Sequence, residues 1–130
     1  MHPALKSLSG MDDLERALAG TDERPLLLFK HSFSCGVSVE ALDELVAHLN
    51  QRKLDANYAM VTVQTHREVS NAVAKQLGVR HESPQALLIR DRRVVWSASH
   101  FRVTAAAVDA ALRMLSPALQ PTRTTTPTEN

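Results

Sequence analysis

Cys35 is the single cysteine among 130 residues. It stands where the apolar run Leu26-Leu27-Leu28-Phe29 passes through Lys30-His31-Ser32-Phe33-Ser34 into an amphipathic segment from Val37 to Leu49. That order places one thiol at a strand-to-helix junction. The free N–H groups of a first helical turn and the helix dipole favour an anion there, hence thiolate over thiol, and thiolate is the nucleophile. Ser38 closes a Cys-x-x-Ser spacing at the position where a second thiol would resolve a mixed disulfide. Its hydroxyl can hydrogen-bond a thiolate but cannot attack a disulfide. The chemistry implied is exchange by one thiol: Cys35 accepts a sulfur partner, and a second, external thiol must release it. Lys30 and His31 offer positive charge or a proton donor close to such a thiol, with an ordinary solvated strand end as the alternative.

A lone cysteine is commonly just a small buried hydrophobe. Here the polar approach and the helix that follows argue for an exposed strand end, where sheet proteins of this class carry their sites. The six histidines with one cysteine would permit a metal site, but no His-x-x-His or Cys-x-x-Cys pair is present, and no metal is expected. His66, His81 and His100 are read as surface or packing residues.

The elements that must position Cys35 follow from periodicity. Met11 to Leu18 repeats apolar residues at helical spacing, with acids in its first turn and Gly20 beyond its end. Leu26 to Phe29 is a strand buried on both faces. In the next helix Val39, Leu42, Leu45, Val46 and Leu49 share one face, while Glu40, Asp43, Glu44 and His48 face away. Tyr58 to Val63 is a second strand, and Val69, Val73, Ala74 and Leu77 mark a helix that stops at Gly78. Ala86 to Ile89 and Val94 to Trp96 are joined by only Arg90-Asp91-Arg92-Arg93, which predicts an antiparallel hairpin with a charged, solubilising tip. Val103 to Leu115 is a last amphipathic helix. The fold expected is α/β and thioredoxin-like: a central mixed sheet, βαβ then ββα, flanked by helices and preceded by an N-terminal helix. Residues 1–116 form its single domain. Residues 117–130, rich in Thr and Pro, are expected to be a disordered tail.

Fifteen basic against fourteen acidic residues leave a net charge of +1, which gives no strong field for nucleic acid or membrane surfaces. Met1 to Leu8 holds no apolar stretch long enough for a signal peptide or a span. One cysteine cannot form an internal disulfide, so a reducing cytoplasm is the expected location. The sequence carries no signal for a particular oligomeric state.

Several segments closely resemble the monothiol bacilliredoxins of the bacillithiol system. They are Leu28-Phe29-Lys30-His31-Ser32, Ser34-Cys35-Gly36-Val37-Ser38, the run Leu77 to Ile89 containing His81-Glu82-Ser83-Pro84-Gln85, and Val95-Trp96-Ser97-Ala98-Ser99-His100. The resemblance spans roughly Asp12 to Leu115. It implies an enzyme that exchanges mixed disulfides between a low-molecular-weight thiol and protein cysteines through Cys35. No cofactor would be bound; bacillithiol or another small thiol would be co-substrate, and S-thiolated client proteins the partners. Ser83 and Pro84, with a cis bond between them, would form the substrate groove. From their own chemistry, the guanidinium groups of Arg80 and Arg67 suit the carboxylates of an anionic thiol, with ordinary solvated arginines as the favoured alternative. One departure is Gly36, where the family usually has proline. The competing functions are a non-catalytic thioredoxin-like peptide-binding adaptor and a thiol-capped redox sensor.

Overall fold

The computed structural model describes residues 2–51 and 55–115. In chain order these form β1 (Leu5–Ser7), α1 (Met11–Ala19), a 3-10 turn at Gly20–Asp22, β2 (Leu26–His31), α2 (Gly36–Gln51), β3 (Asn57–Thr62), α3 (Arg67–Leu77), β4 (Gln85–Arg90), β5 (Arg93–Ser99), a second 3-10 turn at His100–Arg102, and α4 (Ala105–Leu115). The expected tail at 117–130 lies outside the described residues.

One mixed sheet runs in the order β1-β3-β2-β4-β5. β1, β3 and β2 are parallel, and β4 and β5 return antiparallel. β2 lies at the centre and is buried along its whole length, as its unbroken apolar run requires. The pleat sends alternate residues to opposite layers. Leu27 and Phe29 pack with Leu45 and Leu49 of α2 and with Val108 and Leu112 of α4. Leu26 and Leu28 pack with Leu14 and Leu18 of α1 and with Val69 and Val73 of α3. The expected α/β arrangement is therefore present, with helices on both faces.

Four details differ from the sequence reading. β1 was not anticipated, so the sheet has a fifth strand. β2 continues through Lys30 and His31 instead of ending at Phe29. In α2, His48 turns inward, because the Tyr58 hydroxyl gives its Nε2 a partner at 2.8 Å, whereas Val39 is exposed. Finally, the hairpin tip is tethered as well as charged. Asp91 and Arg92 both take left-handed φ, at 54° and 61°, as a two-residue loop between twisted strands demands. Their N–H groups are held by Thr21, through its carbonyl and its Oγ1, each at 2.9 Å. The Thr21 hydroxyl in turn donates to the Leu18 carbonyl at 2.6 Å, and the Arg92 guanidinium pairs with Glu15.

Thr21 is wholly buried, so a valine in its place keeps the volume but strips the Arg92 N–H of its acceptor. Thr21→Val is expected to lower stability by about 1–3 kcal/mol, read as a fall in urea midpoint without a change in slope.

Candidate functional site

The chain leaves β2 at His31 and turns through Ser32 to Ser34 before α2 begins. Cys35 N–H donates to the Ser32 carbonyl at 3.3 Å. The Cys35 carbonyl accepts from Ser38 and Val39, at 3.0 and 3.1 Å, so Cys35 is the residue that caps α2. Its side chain is half-buried and reduced. A thiol so placed has the unpaired N–H groups of the first turn beside it.

Gly36 is the first helical residue. It is exposed, has no left-handed φ, and a Cβ added there would meet nothing within 4 Å. Nothing in the backbone therefore requires glycine. The N–H at this position has no intrahelical role, and proline suits it. Gly36→Pro should raise stability by about 0.5–1 kcal/mol by restricting the unfolded chain, measured as an increase in urea midpoint.

Ser38 is fully buried. Its Oγ accepts the Ser32 N–H at 2.9 Å and lies 2.9 Å from His31 Nδ1. Among the described residues the hydroxyl makes no bond to the Cys35 sulfur; it ties the first turn of α2 to the loop that precedes it. The His31 ring stacks on Phe29, with centroids 5.9 Å apart, and burial pushes its pKa down, so the neutral ring is the favoured form. Gln64, which the sequence did not single out, completes the loop. Its Nε2 donates to Ser32 Oγ at 2.7 Å and to Ser34 Oγ at 3.0 Å. A glutamine two residues past a strand gives no periodic signal, and only the parallel pairing of β2 with β3 brings it here.

Lys30 is not a solvated strand end. Being one residue before His31, it points to the opposite layer, is 0 % exposed, and brings its Nζ to 2.9 Å from His81 Nδ1. Burial pushes its pKa down to about 8. The pair expected to flank the thiol together is thus divided between the two faces of the sheet. His81 opens the segment that reaches Ser83 and Pro84, whose peptide bond is cis. β4 runs antiparallel to β2 with Gln85 opposite Lys30, so Pro84 enters the sheet at the end where Cys35 leaves it. The Pro84 carbonyl is occupied by the His100 N–H at 2.9 Å. A hydrogen bond from Ser99 holds the Glu82 carboxyl below its usual range. Arg80 and Arg67 are exposed, and the Arg80 carbonyl accepts from Gln85 Nε2 at 3.0 Å. His66 caps α3 and contacts Thr65 Oγ1.

Two exposed aromatics were also missed: Phe33, 58 % exposed and two residues before Cys35, and Phe101, 75 % exposed. Phe101 borders a shallow cavity of about 350 Å³ with Val37, Glu40 and Glu44. An aromatic alone among polar neighbours was the available signal for Phe33. Among the described residues no group of three or more His, Cys, Asp or Glu side chains gathers as metal ligands, and no helix is long and apolar enough to cross a membrane.

Solved structures share this architecture. A thioredoxin-fold protein suggested to be an oxidoreductase is 28% identical, with a TM-score of 0.74 over 83% of this chain and 93% of that one. A mutant thioredoxin from Halobacterium salinarum (18% identity, TM-score 0.67, 86% and 90% covered) and the thioredoxin of Fasciola hepatica (16%, 0.68, 84% and 97%) share the fold. With a thiol capping the helix after the central strand, the chain is of the thioredoxin-like thiol oxidoreductase class. Its family is narrower. Residues 6–108 match the monothiol bacilliredoxin BrxC family, and the chain belongs to it.

Proposed function

We propose that this protein is a monothiol thiol–disulfide oxidoreductase that removes bacillithiol, or a comparable small thiol, from mixed disulfides on client proteins. One observation carries the reading: the sole thiol caps α2, while the resolving position holds a buried hydroxyl already bonded to Ser32 and His31. In the first step Cys35 thiolate attacks the small-thiol sulfur of a client disulfide. A Cys35–small-thiol disulfide forms, the client disulfide breaks, and the client leaves as a thiolate that takes a proton from solvent. In the second step an external thiolate attacks the small-thiol sulfur and returns Cys35 as thiolate. No oxidant is consumed in either step. Ser38 cannot shortcut the cycle. The protein's place would be a reducing cytoplasm, where a lone thiol stays available.

The test is release of small thiol from an S-bacillithiolated model protein with enzyme at a few per cent of substrate, followed by intact mass of the enzyme. Many turnovers and one adduct on Cys35 support the proposal. Release limited to one equivalent of enzyme indicates a capped sensor, and binding without release an adaptor.

A further inference from the structure

Lys30 is sealed completely inside the protein, where an ammonium loses its water and gains little back from a single hydrogen bond. An apolar side chain would fill the same space without that penalty, so packing does not account for it. Its surroundings point to a task. Gln85, the cross-strand partner of Lys30, is buried on the same face, and the two hold successive residues of one segment. Lys30 Nζ bonds His81 Nδ1, and Gln85 Nε2 bonds the Arg80 carbonyl. That segment continues into Ser83 and Pro84 at the Cys35 end of the sheet. Gln85 Oε1 is also buried without a hydrogen-bond partner, as is Ser70 Oγ on the inner face of α3. Lys30 and Gln85 thus place two buried polar side chains beneath this one loop.

We propose that Lys30 is a positioning residue for thiol exchange: by donating to Nδ1 it holds His81 as the Nε2–H tautomer, presenting a fixed neutral donor to an acceptor oxygen of the bound mixed disulfide. The inference rests on the exchange reaction proposed above. An ammonium has donors only, so Nδ1 must be the acceptor and the ring proton must reside on Nε2. His81 is exposed, and that proton is open to a substrate. The charged and titratable groups around the pair are Arg67 at the start of α3 and Glu82 in the loop. The cross-strand partners of Lys30 on β3 and β4 are Val61 and Gln85, both uncharged. Burial, Lys30 and Arg67 all push the His81 pKa down, against Glu82, so the ring stays neutral. Lys30 itself loses its proton at about 8. Above that pH the amine no longer dictates the tautomer.

The experiment combines nitrogen NMR of the His81 ring with steady-state kinetics on an S-bacillithiolated model protein. Wild type, Lys30→Met and Lys30→Arg are compared from about pH 6.5 to 9.5. Wild-type His81 is expected as Nε2–H near neutrality, and Lys30→Met as a mixture of tautomers. KM in Lys30→Met should rise about tenfold with kcat little changed, the loss expected when one hydrogen bond to substrate is misplaced. Wild-type KM should rise above pH 8, whereas Lys30→Arg, whose guanidinium does not titrate there, should keep it low. A wild-type ring protonated on Nδ1, or a Lys30→Met variant with unchanged KM, overturns the assignment. If Lys30→Arg does not fold, the other two proteins decide. Should wild type hold the Nε2–H tautomer yet release no small thiol, the exchange reading fails and the Lys30–His81 linkage survives it.

Discussion

Cys35→Ser is expected to reduce release of small thiol from a thiolated client to the uncatalysed background, a loss on the order of 10³ or more. The substitution exchanges sulfur for oxygen at the one atom that can form the mixed disulfide. The fold should be indifferent to it: Cys35 is half-buried, and its hydrogen bonds among the described residues are those of its backbone, which serine retains. Stability should stay within about 0.5 kcal/mol of the parent. Release kinetics and the urea midpoint read the two halves separately. Residual turnover in Cys35→Ser would remove the thiol from the mechanism, and a large fall in midpoint would return it to the role of a core residue.

The largest expected effect on stability comes from the other face of β2. Lys30 titrates at about 8 in the folded chain, against 10.5 for an ordinary lysine, because burial disfavours its charge. The difference corresponds to roughly 3 kcal/mol. Below pH 8 both folded and unfolded chains hold the proton, and the folded chain carries the full penalty of the buried charge. Between 8 and 10.5 the unfolded chain binds the proton and the folded chain does not, so the contribution of this group to stability rises with pH. Lys30→Met lacks the group altogether. It should exceed the parent by up to about 3 kcal/mol at pH 7, and the advantage should shrink as pH climbs through that window. Urea unfolding of both proteins at several pH values measures the difference. An advantage independent of pH across that window would show that Lys30 keeps its proton in the folded chain as it does in the unfolded one, and that burial does not lower its pKa. A more stable, less active Lys30→Met would be the pattern of a group held for function at the expense of the fold.

The frame of the protein was legible because its signals are local. The apolar run of β2, the Gly78 stop of α3 and the four-residue link of the hairpin each follow from a few neighbouring residues. The cis bond at Pro84 was anticipated from the family resemblance rather than from any local pattern. β1 was not legible: three residues with one buried position give no period, and they become a strand only because β3 offers an edge. His48 and Val39 were placed on the wrong faces because polarity stood in for partners. A histidine can face inward when a phenol meets it, and no helical pattern reveals that Tyr58 waits there. The same cause hid the roles of Gln64 and His81, whose partners lie 30 or more residues away in sequence. Cys35 at the helix cap was readable; the wiring that holds its surroundings was not.

Lys30 and His31 are adjacent in sequence, yet one reaches the His81 segment under one helical layer and the other reaches Ser38 under the opposite layer. The pleat of a single strand thereby anchors both loops at the Cys35 end of the sheet. Substitutions around β2 can be absorbed one at a time, but a one-residue insertion or deletion between Leu26 and Phe29 would invert every side chain beyond it, putting the imidazole where the ammonium belongs. A change in the length of this central strand therefore keeps both layers in register only when it comes in whole steps of two residues.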